Sequence, residues 1–285
     1  MKNISGKTKI FGVVGYPIKH TLSPVIHNRL FKEFNMDSVY LAFEVIPDRF
    51  DKFFKGLKSI NNFVGLNITV PFKNRARKYL DTPSEIPVNT VYFKNGKASG
   101  YNTDIYGFKK ALQKNFPDFK LRNKNVLLLG AGGAAQGVSI SLIQSKIKKL
   151  VIVNRTYQKA EKLKKYLNKI DKNIEIETEA LDYDIISKSD EPFHLIVNAT
   201  SVGLKNEKSL VSFEKIKEKN IIVYDLIYNP EFTNFLLKAK KKGLKILNGL
   251  DMLIFQAFRA FQIWTGKNPE KFYDKIKKEI AKYMH

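Results

Sequence analysis

A chain of 285 residues, 44% of them apolar, is long enough for two ordinary α/β domains, each with its own core. It has no cysteine, which excludes disulfides and thiolate metal sites, and its four histidines (His20, His27, His194 and His285) are scattered without a ligand-pair spacing, so no metal is expected. The net charge of +23 is mostly lysine spread along helix-like stretches such as KAEKLKKYLNKIDKN and KAKKKGLK, without the aromatic interleaving or module of a nucleic-acid binder. It reads as a solvated surface that attracts anionic ligands, with no nucleic acid as partner.

In chain order, KIFGVVG (9–15) predicts a buried strand; as a first strand it is not a signal segment, and no apolar run reaches the roughly 18 residues of a membrane span. A soluble, cytoplasmic chain without membrane contact is therefore expected. SPVIHNRLFKEF (23–34) predicts a helix with Ser23 as N-cap and Pro24 at the first helical position. A strand (38–45), a helix (48–60), a strand (63–69) and the start of a further helix (73–80) follow. Within GLNITVPFK (65–73), period-two alternation puts Leu66, Ile68, Val70 and Phe72 on one face and Asn67, Thr69 and Lys73 on the other, and Pro71 ends ladder pairing. VNTVYFKNGKASGYNTD (88–104) predicts a hairpin that turns at Asn95-Gly96. Such alternation predicts an α/β domain with a mostly parallel sheet.

After NFPDFKLRNK (115–124) a second α/β run begins, with strands at 125–129, 149–154, 174–181, 194–200, 221–227 and a short sixth at 245–249. No flexible linker separates the two runs, which favours a helix or short segment between them and a cleft. The stretch 251–264 is apolar nearly all round and predicts a buried helix.

The first strand of the second run leads into Gly130-Ala131-Gly132-Gly133-Ala134-Ala135, the G-x-G-x-x-A pattern of a dinucleotide-binding turn. A tight turn in another α/β protein would carry the same glycines; the strand–loop–helix context and the second strand at the expected distance favour cofactor binding. That second strand ends in Asn154-Arg155-Thr156, with Lys159 a turn later and no acid at the position that binds a ribose 2′-hydroxyl. Cations there suit a 2′-phosphate, so NADP is expected over NAD.

Three polar clusters lie in the first half: Thr21 with Ser23 beside a helix start, Asn67 with Thr69 and Lys73, and Asn89 with Asp104. Each alone is accounted for by capping or turn chemistry. Together they are the hydroxyls, amides, lysine and carboxylate that a small polyhydroxylated acid requires, with Lys73 as proton donor to a reduced ketone and Asp104 to orient it.

Nine ordered stretches, VVGYPIKHTLSPVIHN, GLNITVPFK, VNT, GYNTDIYGF, LLGAGGAAQGV, VNRT, VNATSVGL, YDLIYNP and NGLDMLIFQAFRAFQIWTG, resemble the shikimate dehydrogenase family over almost the whole chain. The resemblance implies an N-terminal α/β substrate domain (1–104), a Rossmann-like NADP-binding domain (105–249) and C-terminal helices (250–285) that return to the first domain and close the cleft. It implies NADPH-dependent reduction of 3-dehydroshikimate to shikimate in chorismate and aromatic amino acid biosynthesis, by a monomer or homodimer acting on a small-molecule substrate. Substrate contacts are implied at Thr21, Ser23, Asn67, Thr69, Lys73, Asn89, Asp104, Tyr228 and Gln256, with Lys73 and Asp104 catalytic. Cofactor contacts are implied at 130–135, at Asn154, Arg155, Thr156 and Lys159, and at Leu226 and Gly249. Gln256, the single amide in MLIFQAF, fits a ligand contact, although a satisfied buried amide is the alternative. Thr21 where Ser is common, Phe72 where His is frequent and Asp251 near the expected nicotinamide depart from the family pattern. The nearest rival is a quinate/shikimate dehydrogenase with relaxed substrate or cofactor use. A nucleic-acid binder and a cofactor-binding paralogue without catalysis are further rivals, the last opposed by the intact Lys73 and Asp104.

Overall fold

The computed structural model describes residues 4–84, 86–216 and 218–284. His285, counted above among the histidines, lies outside the described residues, as do 1–3, 85 and 217 of the expected domains. In chain order the elements are β1 (Lys9–Gly15), α1 (Ser23–Glu33), β2 (Ser38–Glu44), α2 (Phe50–Leu57), β3 (Phe63–Ile68), β4 (Thr90–Lys94), β5 (Lys97–Tyr101) and α3 (Asp104–Asn115). Then come β6 (Asn125–Leu129), α4 (Gly133–Gln144), β7 (Lys149–Asn154), α5 (Tyr157–Ile170), β8 (Glu175–Ala180), α6 (Ile185–Lys188), β9 (Leu195–Asn198), β10 (Ile222–Asp225), α7 (Asn234–Lys241), β11 (Lys245–Leu247), α8 (Leu250–Thr265) and α9 (Tyr273–Ala281). They group into two compact units, Met1–Gly107 with Ile254–His285, and Phe108–Leu253.

The first unit holds a five-stranded sheet in the order β2-β1-β3-β4-β5. β1 is parallel to β2 and β3, but β4 and β5 run antiparallel, so the expected mostly parallel sheet is half realised. For the β4–β5 pair the cause is local: Asn95 and Gly96 both take positive φ (51° and 73°), which returns the chain at once as a hairpin.

On β3 the aliphatic side joins an apolar cluster with Phe50, Phe54 and Phe72, while Asn67 is buried on the other side. The predicted alternation fails beyond Thr69. There the Thr69 N–H donates to the Val14 carbonyl at 3.0 Å and the Phe72 N–H turns back onto the Thr69 carbonyl at 2.9 Å. Val70 is consequently 64% exposed, and Phe72 re-enters the core stacked on Phe50 at 4.3 Å. Lys73 therefore sits in a turn, not at the head of an α-helix. Its carbonyl accepts from the Val88 N–H at 3.2 Å, and only a 3-10 turn, Arg75–Tyr79, follows. Ser23 is likewise not the N-cap: Leu22 holds that position, no side chain caps α1, and Ser23 is its first, buried residue.

The C-terminal helices belong to the first unit from Ile254 onward, as the family resemblance implies. Trp264 of α8 donates its indole N–H to the Val91 carbonyl at 2.9 Å, and α9 reaches α1 through Lys275–Glu33 at 2.7 Å and Arg29–Glu279 at 3.5 Å. The Trp264 ring lies over Gly65 of β3, where any Cβ would overlap it.

The second unit is a six-stranded parallel sheet in the order β11-β10-β9-β6-β7-β8. Its inner strands β6, β7, β9 and β10 are near-continuous apolar runs because both faces are covered, while the edge strand β8 alternates glutamates with buried residues. β6 comes first in sequence and lies between β7 and β9, so the strand order reverses there, the place where a Rossmann sheet receives a dinucleotide.

Because the indole cannot yield as a flexible chain end does, Gly65→Ala is expected to cost about 1–3 kcal/mol of stability, read from denaturant unfolding.

Candidate active site

Asp104 opens α3, and the Asn102 side chain accepts the N–H groups of Asp104 (3.0 Å) and Ile105 (3.4 Å) while donating to the Pro87 carbonyl at 2.8 Å. The carboxylate is thus aimed by a capped helix start. Its Oδ2 accepts from Lys73 Nζ at 2.6 Å, with the two side chains 10% and 13% exposed. Lys73 reaches it from the turn after β3.

Thr103, next to Asp104 in the chain, belongs to a buried row of amides and hydroxyls. Asn67 donates to the Asn89 carbonyl (3.2 Å) and to Thr90 Oγ1 (2.9 Å), and accepts from the Tyr40 hydroxyl at 2.6 Å. Asn89 Oδ1 accepts from the Thr103 N–H at 2.7 Å, and Thr103 Oγ1 lies 3.4 Å from Gln256 Oε1, toward which it donates. The structure therefore links Asn67, Asn89 and Gln256 through Thr90 and Thr103, and Lys73 to Asp104. Thr21 accepts the Ser23 N–H at 3.3 Å, and Thr69 is half-buried at the end of β3. Gln256 finds part of its hydrogen bonding in Thr103, a side chain rather than the backbone.

Tyr40, Thr90 and Thr103 were not singled out in the sequence. The threonines stand in VNT and GYNTD beside residues that were. Tyr40 stands in an apolar strand, where an aromatic reads as core. His27 stacks on it at 4.3 Å with both ring nitrogens buried and unbonded. Burial drives the His27 pKa down to about 3, the nearby Asn67 side chain opposing, so the ring is neutral.

In the second unit, Gly130 takes φ +111° with the Ala199 carbonyl and Thr200 against it, a conformation open to glycine. Gly132 is the extended N-cap of α4; no side chain caps this helix, no acid lies in its first turn, and space beyond the Gly132 Cα is open. Gly133, Ala134 and Ala135 form that first turn, and Ala131 is buried beneath it. Unclaimed helix N–H groups beside open space fit a phosphate. After β7, the Asn154 side chain donates to the Thr156 carbonyl at 2.8 Å and shapes the turn. Arg155 and Lys159 are exposed, with no ion pair among the described residues. The chain's own residues thus fit a 2′-phosphorylated dinucleotide.

At the carboxyl ends of β9 and β10, buried Asn198 donates to Asp225 Oδ1 at 3.0 Å. Asp225 also accepts from Thr233 Oγ1 (2.6 Å) and the Ile227 N–H (3.1 Å), with no cation among these partners. Burial raises its pKa to about 6, against the opposing effect of the three donors. Asn198 Oδ1 in turn accepts from Thr200, so the loop that walls Gly130 is tied to this carboxyl. Leu226 and Tyr228 follow directly, Tyr228 with its pKa raised by burial, and the Gly249 N–H donates to the Ile227 carbonyl at 3.0 Å. Asp251 is buried and accepts from Asn115 at 2.7 Å. Among the described residues no cluster of metal-ligating side chains occurs, and no helix is long and apolar enough to cross a membrane.

Fold and site together define a two-unit α/β oxidoreductase with a Rossmann-type dinucleotide-binding sheet. Three family models match, described as shikimate dehydrogenase substrate binding domain (13–89), shikimate/quinate 5-dehydrogenase (110–218) and shikimate 5′-dehydrogenase C-terminal domain (249–279). A shikimate dehydrogenase (NADP+) of Nitrosopumilus maritimus is 42% identical over 277 residues, covering 95% of this chain and 98% of that one. Two crystal structures align over nearly full length. Shikimate 5-dehydrogenase from Listeria monocytogenes, in complex with shikimate and NAD, has a TM-score of 0.89 and 32% identity over 98% of this chain and 99% of the other. The Thermus thermophilus enzyme, in complex with NADP(H) and shikimate, has a TM-score of 0.78 and 30% identity over 95% and 100%. The chain belongs to the shikimate dehydrogenase family.

The raised pKa of Asp225 sets a pH dependence. The native state holds this proton up to about pH 6 and the unfolded chain releases it near the ordinary 3.8, so the group's stabilising contribution is complete below the lower value and lost as pH rises through the upper. The span corresponds to about 3 kcal/mol. Asp225→Asn is expected to flatten the stability profile between these two pH values, measured by urea unfolding at stepped pH.

Proposed function

We propose that the chain catalyses the reversible NADPH-dependent reduction of 3-dehydroshikimate to shikimate, a step in the formation of chorismate and the aromatic amino acids. The observation that carries this reading is the Lys73–Asp104 contact at 2.6 Å, with Thr103, the neighbour of Asp104 in the chain, joined to a buried row of amides and hydroxyls. NADPH, when bound, supplies the hydride to the ketone carbon. Lys73 Nζ holds the proton at the ketone oxygen and delivers it as the oxygen becomes an alcohol. Asp104 keeps that amine oriented, and the proton is replaced from solvent.

Thr21 and Ser23, at the start of α1, suit the substrate carboxylate, while Asn67, Thr69, Asn89 and Gln256 suit its hydroxyls. Residues 130–135 suit the pyrophosphate, and Arg155, Thr156 and Lys159 the 2′-phosphate, with Asn154 shaping their turn. Leu226 and Gly249 suit the nicotinamide end of the cofactor. The relatives' names support NADP and shikimate as ligands.

A second reading, relaxed use of quinate or NAD, draws on the Listeria complex with NAD and on the extra methyl of Thr21. Arg155 and Lys159, without an ion pair among the described residues, favour NADP.

Nicotinamide absorbance with shikimate or quinate, each paired with NADP or NAD, decides between the two; no turnover in any pairing would overturn both. Lys73→Ala is expected to lower kcat about 10²–10⁴-fold. Arg155→Ala is expected to raise the NADP KM about tenfold, the worth of one charge-assisted contact, and to leave the NADP-independent rate with NAD unchanged.

A further inference from the structure

The carboxamide of Asn67 has its direction dictated by its neighbours. Its Nδ2 faces the Asn89 carbonyl at 3.2 Å, and a backbone carbonyl only accepts, so that end must be the nitrogen. The second N–H goes to Thr90 Oγ1 at 2.9 Å. Both donors are used within the protein, and Oδ1 spends one of its two lone pairs on the Tyr40 hydroxyl at 2.6 Å. What Asn67 has left is one acceptor site.

Asn89 is its complement. Its Oδ1 accepts from the Thr103 N–H (2.7 Å) and Thr90 Oγ1 (3.1 Å), and its amide NH₂ has no partner among the described residues. One amide offers an acceptor and its neighbour offers donors. A hydroxyl can give to the first and take from the second; an ether or keto oxygen cannot give to Asn67.

Tyr40 is built to hold its part of this arrangement. It is 1% exposed, its ring is stacked on His27, and the Asn28 side chain of α1 binds both its N–H (2.8 Å) and its carbonyl (2.9 Å). Burial lifts its pKa well above the ordinary tyrosine value, with the Ser23 hydroxyl opposing, so the phenol keeps its proton and donates.

We infer that Tyr40 is a positioning residue of the substrate pocket, acting through Asn67: its hydroxyl pins Oδ1 so that a single acceptor faces a ring hydroxyl of a polyhydroxylated substrate. This rests on the function proposed above. With Tyr40→Phe the amide keeps only its Nδ2 anchors, and Oδ1 is free to pivot about them.

The test is initial-rate kinetics on full-length wild type, Tyr40→Phe, Asn67→Ala and the double variant. Tyr40→Phe is expected to raise the shikimate KM about tenfold, the equivalent of about 1.4 kcal/mol, and to leave the NADP KM within about twofold. Added to Asn67→Ala it is expected to change nothing further, the mark of an effect exerted through that amide. An unchanged shikimate KM, an equal rise in both KM values or an additive double variant would each overturn the inference while leaving the dehydrogenase reading intact. Wild type without turnover of shikimate would remove both. Should Asn67→Ala not fold, the rise in thermal midpoint on adding shikimate replaces the double variant. It must be smaller for Tyr40→Phe than for wild type, and an equal rise overturns the inference.

Discussion

A lysine amine drawn largely out of water beside a carboxylate is the constraint around which the first unit is arranged. Removing one member of such a pair leaves the other charged and unpaired, a cost well beyond that of an exposed ion pair. The fold meets the constraint from two separate places. Asp104 is aimed by the Asn102 cap at the start of α3. Lys73 comes from the turn after β3, where the Phe72 N–H folds back onto the Thr69 carbonyl. A regular continuation of either element would carry one partner away, so the irregular backbone after β3 is the part of the unit that brings the pair together.

The same logic of fixed polarity recurs elsewhere. In the first unit, backbone carbonyls and hydroxyls decide which end of Asn67 and Asn89 is left to face a ligand. In the second, the Asn198–Asp225 contact joins the ends of β9 and β10 and, through Thr200, the loop behind Gly130. Parallel strands alone would leave those loops free to move, and side-chain bonds across their ends give them one geometry. Satisfied buried polar networks specify a conformation more narrowly than apolar packing does.

What was legible in the sequence follows from the range of the forces involved. The Asn95-Gly96 hairpin was visible because two adjacent residues determine it. The Rossmann strands were visible because burial on both faces writes a continuous apolar run. Lys73 and Asp104 were legible as a candidate pair from residue type and family motif. The end of β3 was not, because there Phe72 leaves the strand to stack on Phe50, a contact between residues far apart in sequence. Ser23 was read as a cap because Ser-Pro is a frequent helix opening; the helix instead begins on the serine and buries it. Tyr40 was illegible for a similar reason: its polar role is set by an asparagine 27 residues on.

Where the chain's positive charge is quenched also bears on what it binds. At the start of β7, Lys148 pairs with Glu191 at 2.7 Å, and Lys149 pairs with Glu175 (3.0 Å) and Glu177 (2.6 Å). Those contacts offset the charge of the two lysines at the start of β7. At the carboxyl end of the same strand Arg155 and Lys159 make no such pair among the described residues, so their charge remains available to an anion. The overall charge of +23 supplies a long-range attraction for anions in general, but salt screens it over about 10 Å and it does not choose between them. Selection must come from groups within hydrogen-bond reach. That is why two cations at the end of one strand say more about the cofactor than all the lysines spread over the surface.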